Sequence, residues 1–129
     1  MYSSREDFDK VINNDDLAAL TGEQGDESLF AAIESADSII DGYLSSVCTV
    51  LPLVNVPPVI RQLSIDIGLY NLHTRVQFKD IPEWVSKKYD NAIKMLRSIS
   101  KGELILPGII PEERLSKIII GSDEKRTFK

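Results

Sequence analysis

Four acidic side chains, at positions 34, 37, 41 and 66, have the types and spacing that could support chemistry. Glu34 and Asp37 lie three residues apart on a predicted long helix, and Asp41 follows one turn later. Asp66 lies on the helix predicted to face them. All-helical nucleotide pyrophosphohydrolases hold Mg²⁺ between acidic pairs on two packed helices. Because the second helix here offers one aspartate instead of a pair, a metal-dependent nucleotide hydrolase stays an alternative only.

The other reactive side chains do not form a catalytic set. His73 is the single histidine, so it cannot be one of several imidazole ligands, and a structural role is predicted. Cys48 lies on an apolar helix without a neighbouring acid–base partner, which indicates a small core residue. The sequence has no glycine-rich phosphate loop, nucleophile elbow or zinc-type spacing. We therefore predict no enzyme, no cofactor and no metal site.

Composition and charge narrow the class of protein. The chain has 129 residues, enough for one core, and no apolar run approaches the ~20 residues that cross a bilayer, so no membrane partner is expected. The start does not resemble a secretory signal, and the single cysteine fits folding in the cytosol.

Charge is distributed unequally along the chain. Residues 1–57 carry two basic and eleven acidic groups, a balance of −9, whereas residues 58–129 carry thirteen basic and nine acidic groups, a balance of +4. Such polarity could bring unlike halves of two copies together, although a simply solvated surface is also compatible with it.

Apolar periodicity predicts an all-α fold: two short N-terminal helices, three long helices and a C-terminal extended arm. Ser3 and Glu6 have the spacing of a capping box for the first helix, the second ends near residue 21, and residues 22–27 are predicted as an exposed loop. The long helices are predicted over about 28–50, 58–76 and 82–101. The helical domain would span 1–102. The arm, 103–129, is predicted to be partly extended or flexible, because its apolar clusters are interrupted by proline and glycine.

The segment "LPLVNVPP" (51–58) is predicted to be a rigid corner. Pro52 would end one long helix, and Pro57-Pro58 would begin the next. The apolar side chains between them should be partly buried, under the domain or under a neighbouring subunit. Asp66, on the second of these helices, either hydrogen-bonds Arg61, Tyr43 or a backbone end, or lies on a narrow exposed strip with Gln62 and His73.

The candidate interface or structural residues are therefore in the corner, on the following helix and in the arm. They are Leu53, Val54, Val56, Pro57, Pro58, Asp66, Ile109, Ile110, Ile118, Ile119 and Ile120. Replacing Pro57 or Asp66 with alanine is expected to impair stability or assembly. The lysine-rich outer face of the last helix is diluted by acids, so a solvated face is predicted there instead of a nucleic-acid site.

The order of motifs resembles a known family. "MYSSREDFDKVI", "LAALTG", "ADSIIDGYLSSVCTVLPL", "VPPVIRQLSIDIGLYNLH" and "WVSKKYDNAIKMLRSISKGELIL" follow one another as in the small head-assembly proteins of Mu-like tailed phages and prophages. That family is related in fold to the head–tail adaptor proteins of other long-tailed phages. The resemblance covers roughly residues 1–106 and is most specific at 40–44, 51–53 and 56–67.

The resemblance implies a non-catalytic helical adaptor. It would assemble as a ring on the portal, contact tail-completion proteins, and meet DNA only as it passes through the bore. It would assemble in the bacterial cytoplasm and end at the head–tail junction of the virion. An acidic half lining the bore would repel passing DNA. A generic helical interaction module is the other alternative.

Overall fold

The computed structural model describes residues 1–76 and 80–106, which form five α-helices and one 3₁₀ turn, without a strand in these ranges. The helices are α1 (Arg5–Asp9), α2 (Asn14–Thr21), α3 (Asp26–Leu44), α4 (Pro58–Arg75) and α5 (Glu83–Ser100), with the 3₁₀ turn at Gly22–Gln24. The predicted all-α bundle of two short and three long helices is confirmed.

The first helix begins one residue later than its predicted capping box. Ser4, and not Ser3, is the N-cap, and its partner in the box is Asp7, not Glu6. Ser3 is buried and bonds elsewhere, because its hydroxyl reaches Ser64 on α4. Ser3 and Ser4 are equally suited by local sequence to cap α1, and the contact between Ser3 and Ser64 leaves Ser4 as the cap.

The loop predicted over 22–27 is largely helical. Residues 22–24 form the 3₁₀ turn, and α3 begins at Asp26. Only Gly25 separates the two, with φ of 54° in the left-handed region that glycine tolerates best. The prediction was wrong because one glycine is sufficient to redirect the chain here.

Helix α3 ends at Leu44, earlier than the predicted end near residue 50. Ser45 Oγ donates to the carbonyl of Gly42, and Ser46 Oγ lies 3.1 Å from the carbonyl of Ser100 and 3.3 Å from the carbonyl of Tyr43 as alternative acceptors. Serine hydroxyls that bond nearby carbonyls offer the backbone an alternative to further helical turns. Pro52 therefore does not end this helix.

Helices α4 and α5 match their predictions. Pro58 occupies the first turn of α4, and Pro82 precedes α5. Gly102, with φ of 80°, follows the last turn of α5 as expected of a C-terminal cap. The inward row of α5 consists of Val85, Ala92, Leu96 and Ile99, which are buried, and Tyr89 stacks on Tyr70 of α4 with ring centroids 3.9 Å apart.

Helices α3, α4 and α5 each pack against the other two, while α1 and α2 cover one end of this bundle. Two hydrophobic cores result. The first, near the corner between α3 and α4, includes Ile40, Leu44, Ile60, Ile67, Leu96 and Leu106. The second, under α1 and α2, includes Phe8, Leu17, Leu29, Ile33, Leu72 and Val85. Within the described ranges, no helix combines the length and apolar character needed to cross a bilayer.

The predicted division into a helical domain and an arm at residue 102 stays a prediction. Leu106 is buried in the core near the corner, whereas Leu104 and Ile105 are exposed. The arm candidates Ile109, Ile110, Ile118, Ile119 and Ile120 lie outside the described residues.

Candidate interaction surfaces and a buried polar anchor

Three of the four acidic residues considered for a metal site accept hydrogen bonds from other side chains or the backbone. Asp37 and Asp41 both accept hydrogen bonds from Tyr2, one from its backbone N–H and one from its hydroxyl. Glu34 is exposed, and Asp66 accepts a hydrogen bond from the side chain of Gln62. Within residues 1–76 and 80–106, no group of three or more His, Cys, Asp or Glu is placed to hold a cation.

A chain of buried and part-buried hydrogen bonds joins the N-terminal segment to α3 and α4. Ser64 is fully buried and donates to Asp37 Oδ1 at 2.7 Å. Since its only hydroxyl proton is used there, the 2.7 Å contact between Ser3 Oγ and Ser64 Oγ has Ser3 as donor. The Tyr2 N–H donates to Asp37 Oδ2 at 2.8 Å. We call Tyr2, Ser3, Asp37, Asp41 and Ser64 the polar anchor.

The polar anchor also reaches the corner between α3 and α4. The backbone N–H of Leu53 donates to the hydroxyl of Tyr2 at 2.9 Å. Because Tyr2 is itself buried, its ring fills the first core while its hydroxyl satisfies a loop donor. The N-terminal segment therefore ties the corner to α3.

Burial sets the proton affinities in the polar anchor. It raises the pKa of the Asp37 carboxyl, and the hydrogen bonds from Ser64 and from the Tyr2 N–H oppose that rise. Burial, followed by the hydrogen bond to Asp41, raises the pKa of the Tyr2 hydroxyl well above its ordinary value. Hydrogen bonds therefore stabilise the charged form of Asp37 more than any nearby positive charge does.

Sequence reasoning missed Tyr2, Ser3 and Ser64. A signal existed for Ser64, since it follows Ile60 by four residues and precedes Ile67 by three, which puts a hydroxyl on a buried row. A buried hydroxyl needs a partner, so this position should have predicted a polar contact. The identity of the partner could not be inferred from the spacing.

The corner residues divide into buried and exposed side chains. Leu53 and Val56 are half-buried and pack on the first core, while Val54 has 85% of its surface exposed. Pro57 precedes α4 in extended conformation, and Pro58 is exposed in the first turn. The Leu51–Pro52 peptide bond is cis. Val54 is therefore exposed to solvent, while its neighbours Leu53 and Val56 pack on the core and fix the position of the corner.

Asp66 bonds Gln62, its neighbour on the predicted strip, but it is half-buried and not exposed as that alternative required. Its carboxylate accepts a hydrogen bond from Gln62 Nε2 at 2.8 Å. Burial raises the pKa of Asp66, and the Gln62 hydrogen bond and the charge of Lys88 oppose that rise. His73, which the same alternative placed on this strip, donates from Nδ1 to the carbonyl of Leu69 at 2.9 Å.

Cys48 is buried in the first core. Burial raises the pKa of its thiol, the opposite of what a nucleophile needs. Its predicted core placement is confirmed.

Charge is unevenly distributed among the elements: acids outnumber bases on α1–α3 and bases outnumber acids on α5, although Arg5 and Lys10 are exposed at α1 and Glu83 and Asp90 on α5. Exposed acids on the first three helices and their connections are Glu6, Asp9, Asp15, Asp16, Glu23, Asp26, Glu27 and Glu34. Exposed bases on and just after α5 are Lys87, Lys88, Lys94, Arg97 and Lys101. In the described part of the chain, ion pairs join only Arg5 to Asp26 and Lys87 to Glu83. Most of these charges are therefore directed to solvent.

Comparison with known proteins identifies the family. The model of the family described as "Bacteriophage Mu, Gp36" matches residues 2–116, nearly the whole chain and past the end of the resemblance seen in the sequence. No curated protein gives a significant match. On the family match and the all-α bundle, the chain belongs to the bacteriophage Mu Gp36 family.

Proposed function

We propose that this phage protein is a head–tail adaptor, or head-completion protein, that assembles as a ring on the portal. The observation that carries the proposal is the uneven distribution of charge: exposed acids predominate on α1–α3 and exposed bases on α5, within one packed bundle. Identical subunits that join unlike patches form a closed ring when the rotation between them closes. Opposite charges on those patches favour the encounter and its register.

The corner supplies a second surface for such an assembly. Val54 and Val50 are 85% and 66% exposed, and both lie between α3 and α4, which the polar anchor holds. Val50 and Val54 together would offer a partner an apolar contact on an anchored connection. The portal or a tail-completion protein is the proposed partner of this surface, and Asp66, Pro57 and Pro58 are proposed to support it structurally.

The proposal assigns no reaction to the protein. Of the four carboxylates considered for Mg²⁺, Asp37, Asp41 and Asp66 accept hydrogen bonds from Tyr2, Ser64 or Gln62, and Glu34 is exposed. The adaptor would act in the host cytoplasm during assembly and remain at the head–tail junction of the virion, with DNA as a passing molecule. An acidic bore would repel that DNA.

An assembly experiment tests the proposal. Deleting the coding sequence from the phage should leave DNA-filled heads and separate tails, and adding the purified chain to that lysate should restore joined particles. Purified Val54→Asp protein, in which a charge replaces the exposed apolar side chain, should restore fewer joined particles when added to the same lysate. Normal yields of joined particles from the deletion would contradict the proposal.

A further inference from the structure

The end of the bundle opposite the corner contains a groove that neither the polar anchor nor the corner uses. It has a volume of about 280 Å³ and lies between α2, the end of α4 and the start of α5. Its apolar wall includes Ile12, Leu20, Val76 and Trp84, and Asp16 and Asp80 also line it. Trp84 is the single tryptophan and is 43% exposed.

The polar groups of the groove are acceptors. Within the described residues, neither Asp16 nor Asp80 has a basic side chain within ion-pair distance. His73 also lines the groove, and because its Nδ1 donates to the Leu69 carbonyl, Nε2 is the ring nitrogen left for a ligand. Two carboxylates, an aromatic face and an apolar wall together suit a long basic side chain. Its stem would lie on the wall and its cation between the acids.

The chain carries a matching strip on the last turns of α5 and its C-cap residue. Lys94, Arg97 and Lys101 follow one another at steps of three and four residues, so they share one side of the helix. All three are exposed, and no described carboxylate lies within ion-pair distance of them. We call these three residues the basic strip.

The groove and the basic strip of one chain cannot meet each other. Trp84 and Arg97 are thirteen residues apart on the continuous helix α5, which separates them by about 20 Å along its axis. Contact therefore requires a second copy, placed so that one end of a subunit meets the other end of its neighbour. Such head-to-tail contacts are the kind that generate rings.

We propose that the groove receives the basic strip of a second copy, with Arg97 seated between Asp16, Asp80 and Trp84. Arginine suits this position because its planar guanidinium pairs with carboxylates and stacks on an aromatic face. The inference rests on the proposed self-assembly and specifies which residues form the contact.

Reciprocal charge reversal tests the contact in the full chain. The groove variant carries Asp16→Lys and Asp80→Lys, and the strip variant carries Arg97→Glu and Lys101→Glu. Sedimentation velocity over a concentration series at low salt, where charge attraction is least screened, measures association. Each variant alone should associate at least about tenfold more weakly than the unaltered chain, a loss of about 1.4 kcal/mol.

An equimolar mixture should restore association. The reversed groove then faces a reversed strip, and the original groove of one variant faces the original strip of the other. The matched control, Asp9→Lys with Glu23→Lys, makes the same change in net charge on the acidic helices but outside the groove, and it should weaken association much less than the groove variant does. Emission from Trp84 should shift to shorter wavelength as the unaltered chain associates.

Three results would overturn the proposal: an unaltered chain that stays monomeric at millimolar concentration, a groove variant that associates normally, or a mixture that fails to recover. Circular dichroism melts verify folding, and Asp16→Asn with Asp80→Asn replaces the lysine changes if they unfold the chain. Normal portal rings from the groove variant would refute this contact but leave the adaptor function intact. Recovery of association in the mixture, without any ring on the portal, would support this contact but refute the adaptor function.

Discussion

Replacing Ser64 with alanine should destabilise the fold through the polar anchor. Ser64 is fully buried, accepts a hydrogen bond from Ser3 and donates one to Asp37. Alanine leaves the buried Ser3 hydroxyl without this acceptor and removes one of the donors that hold the Asp37 carboxylate. The change creates almost no cavity, so the measured loss would report hydrogen bonding.

The expected loss is about 2 kcal/mol in the free energy of unfolding. A hydrogen bond to a charged group contributes about 1.5–3 kcal/mol, and a neutral one about 0.5–1.5 kcal/mol. Two effects reduce the sum: alanine favours a helix by about 0.5 kcal/mol over serine, and water can reach the half-buried Asp37. For a chain of this length the midpoint Tm should fall by about 7 °C.

The loss at Ser64 should also depend on pH. Burial raises the folded-state pKa of Asp37 above its unfolded value, so its contribution to stability is full below the ordinary pKa of about 3.9 and is lost as pH rises through the folded pKa. Removing the Ser64 donor raises that folded pKa further and deepens the loss. The difference between the two proteins should therefore be larger at pH 7 than at about pH 3.5.

Urea unfolding at both pH values measures this difference. Ser38→Ala, an exposed change on α3, is the matched control and should stay within about 0.5 kcal/mol. A Ser64→Ala protein as stable as the control, or a gap that widens toward pH 3.5, would refute the hydrogen-bond assignment.

Three further experiments test the packing of the core and the surface of the corner. Gly68→Ala would place a Cβ 2.9 Å from the tip of the buried Phe8 ring and should lower Tm. Gly42→Ala, whose Cβ would have nothing within 4 Å, should raise Tm by about 4 °C. Equal shifts of the two variants in thermal melts would contradict this packing. Val54→Asp should leave Tm within about 2 °C but reduce ring formation on the portal seen by electron microscopy, and intact rings would argue against the corner surface. The Cys48 thiol should react with a disulfide reagent much more slowly in the native protein than in urea, and equal rates would contradict its burial.

The long helices after the corner could be predicted because strong local signals mark their ends. Pro58 and Pro82 restrict the backbone at the start of each helix, and Gly102 accepts the left-handed conformation after the last turn. Apolar rows between these points leave little ambiguity. Helix α3 lacked such a signal, because the hydroxyls of Ser45 and Ser46 end it through contacts that periodicity does not encode.

The polar anchor could not be predicted in the same way. Its hydrogen bonds join Tyr2 to Asp37 and Ser3 to Ser64, across 35 and 61 positions of the sequence. Helical periodicity indicates which face is buried, but not which residue of another element lies opposite. Likewise, the loop composition predicted partial burial at the corner, while only the packing decides that Val54 faces solvent.

Electron microscopy of the chain mixed with purified portal oligomers from the same phage tests the central claim most directly. The account predicts a closed ring of copies on one face of the portal, coaxial with its channel. Portal particles that remain bare while the chain stays in solution as a folded monomer would contradict it.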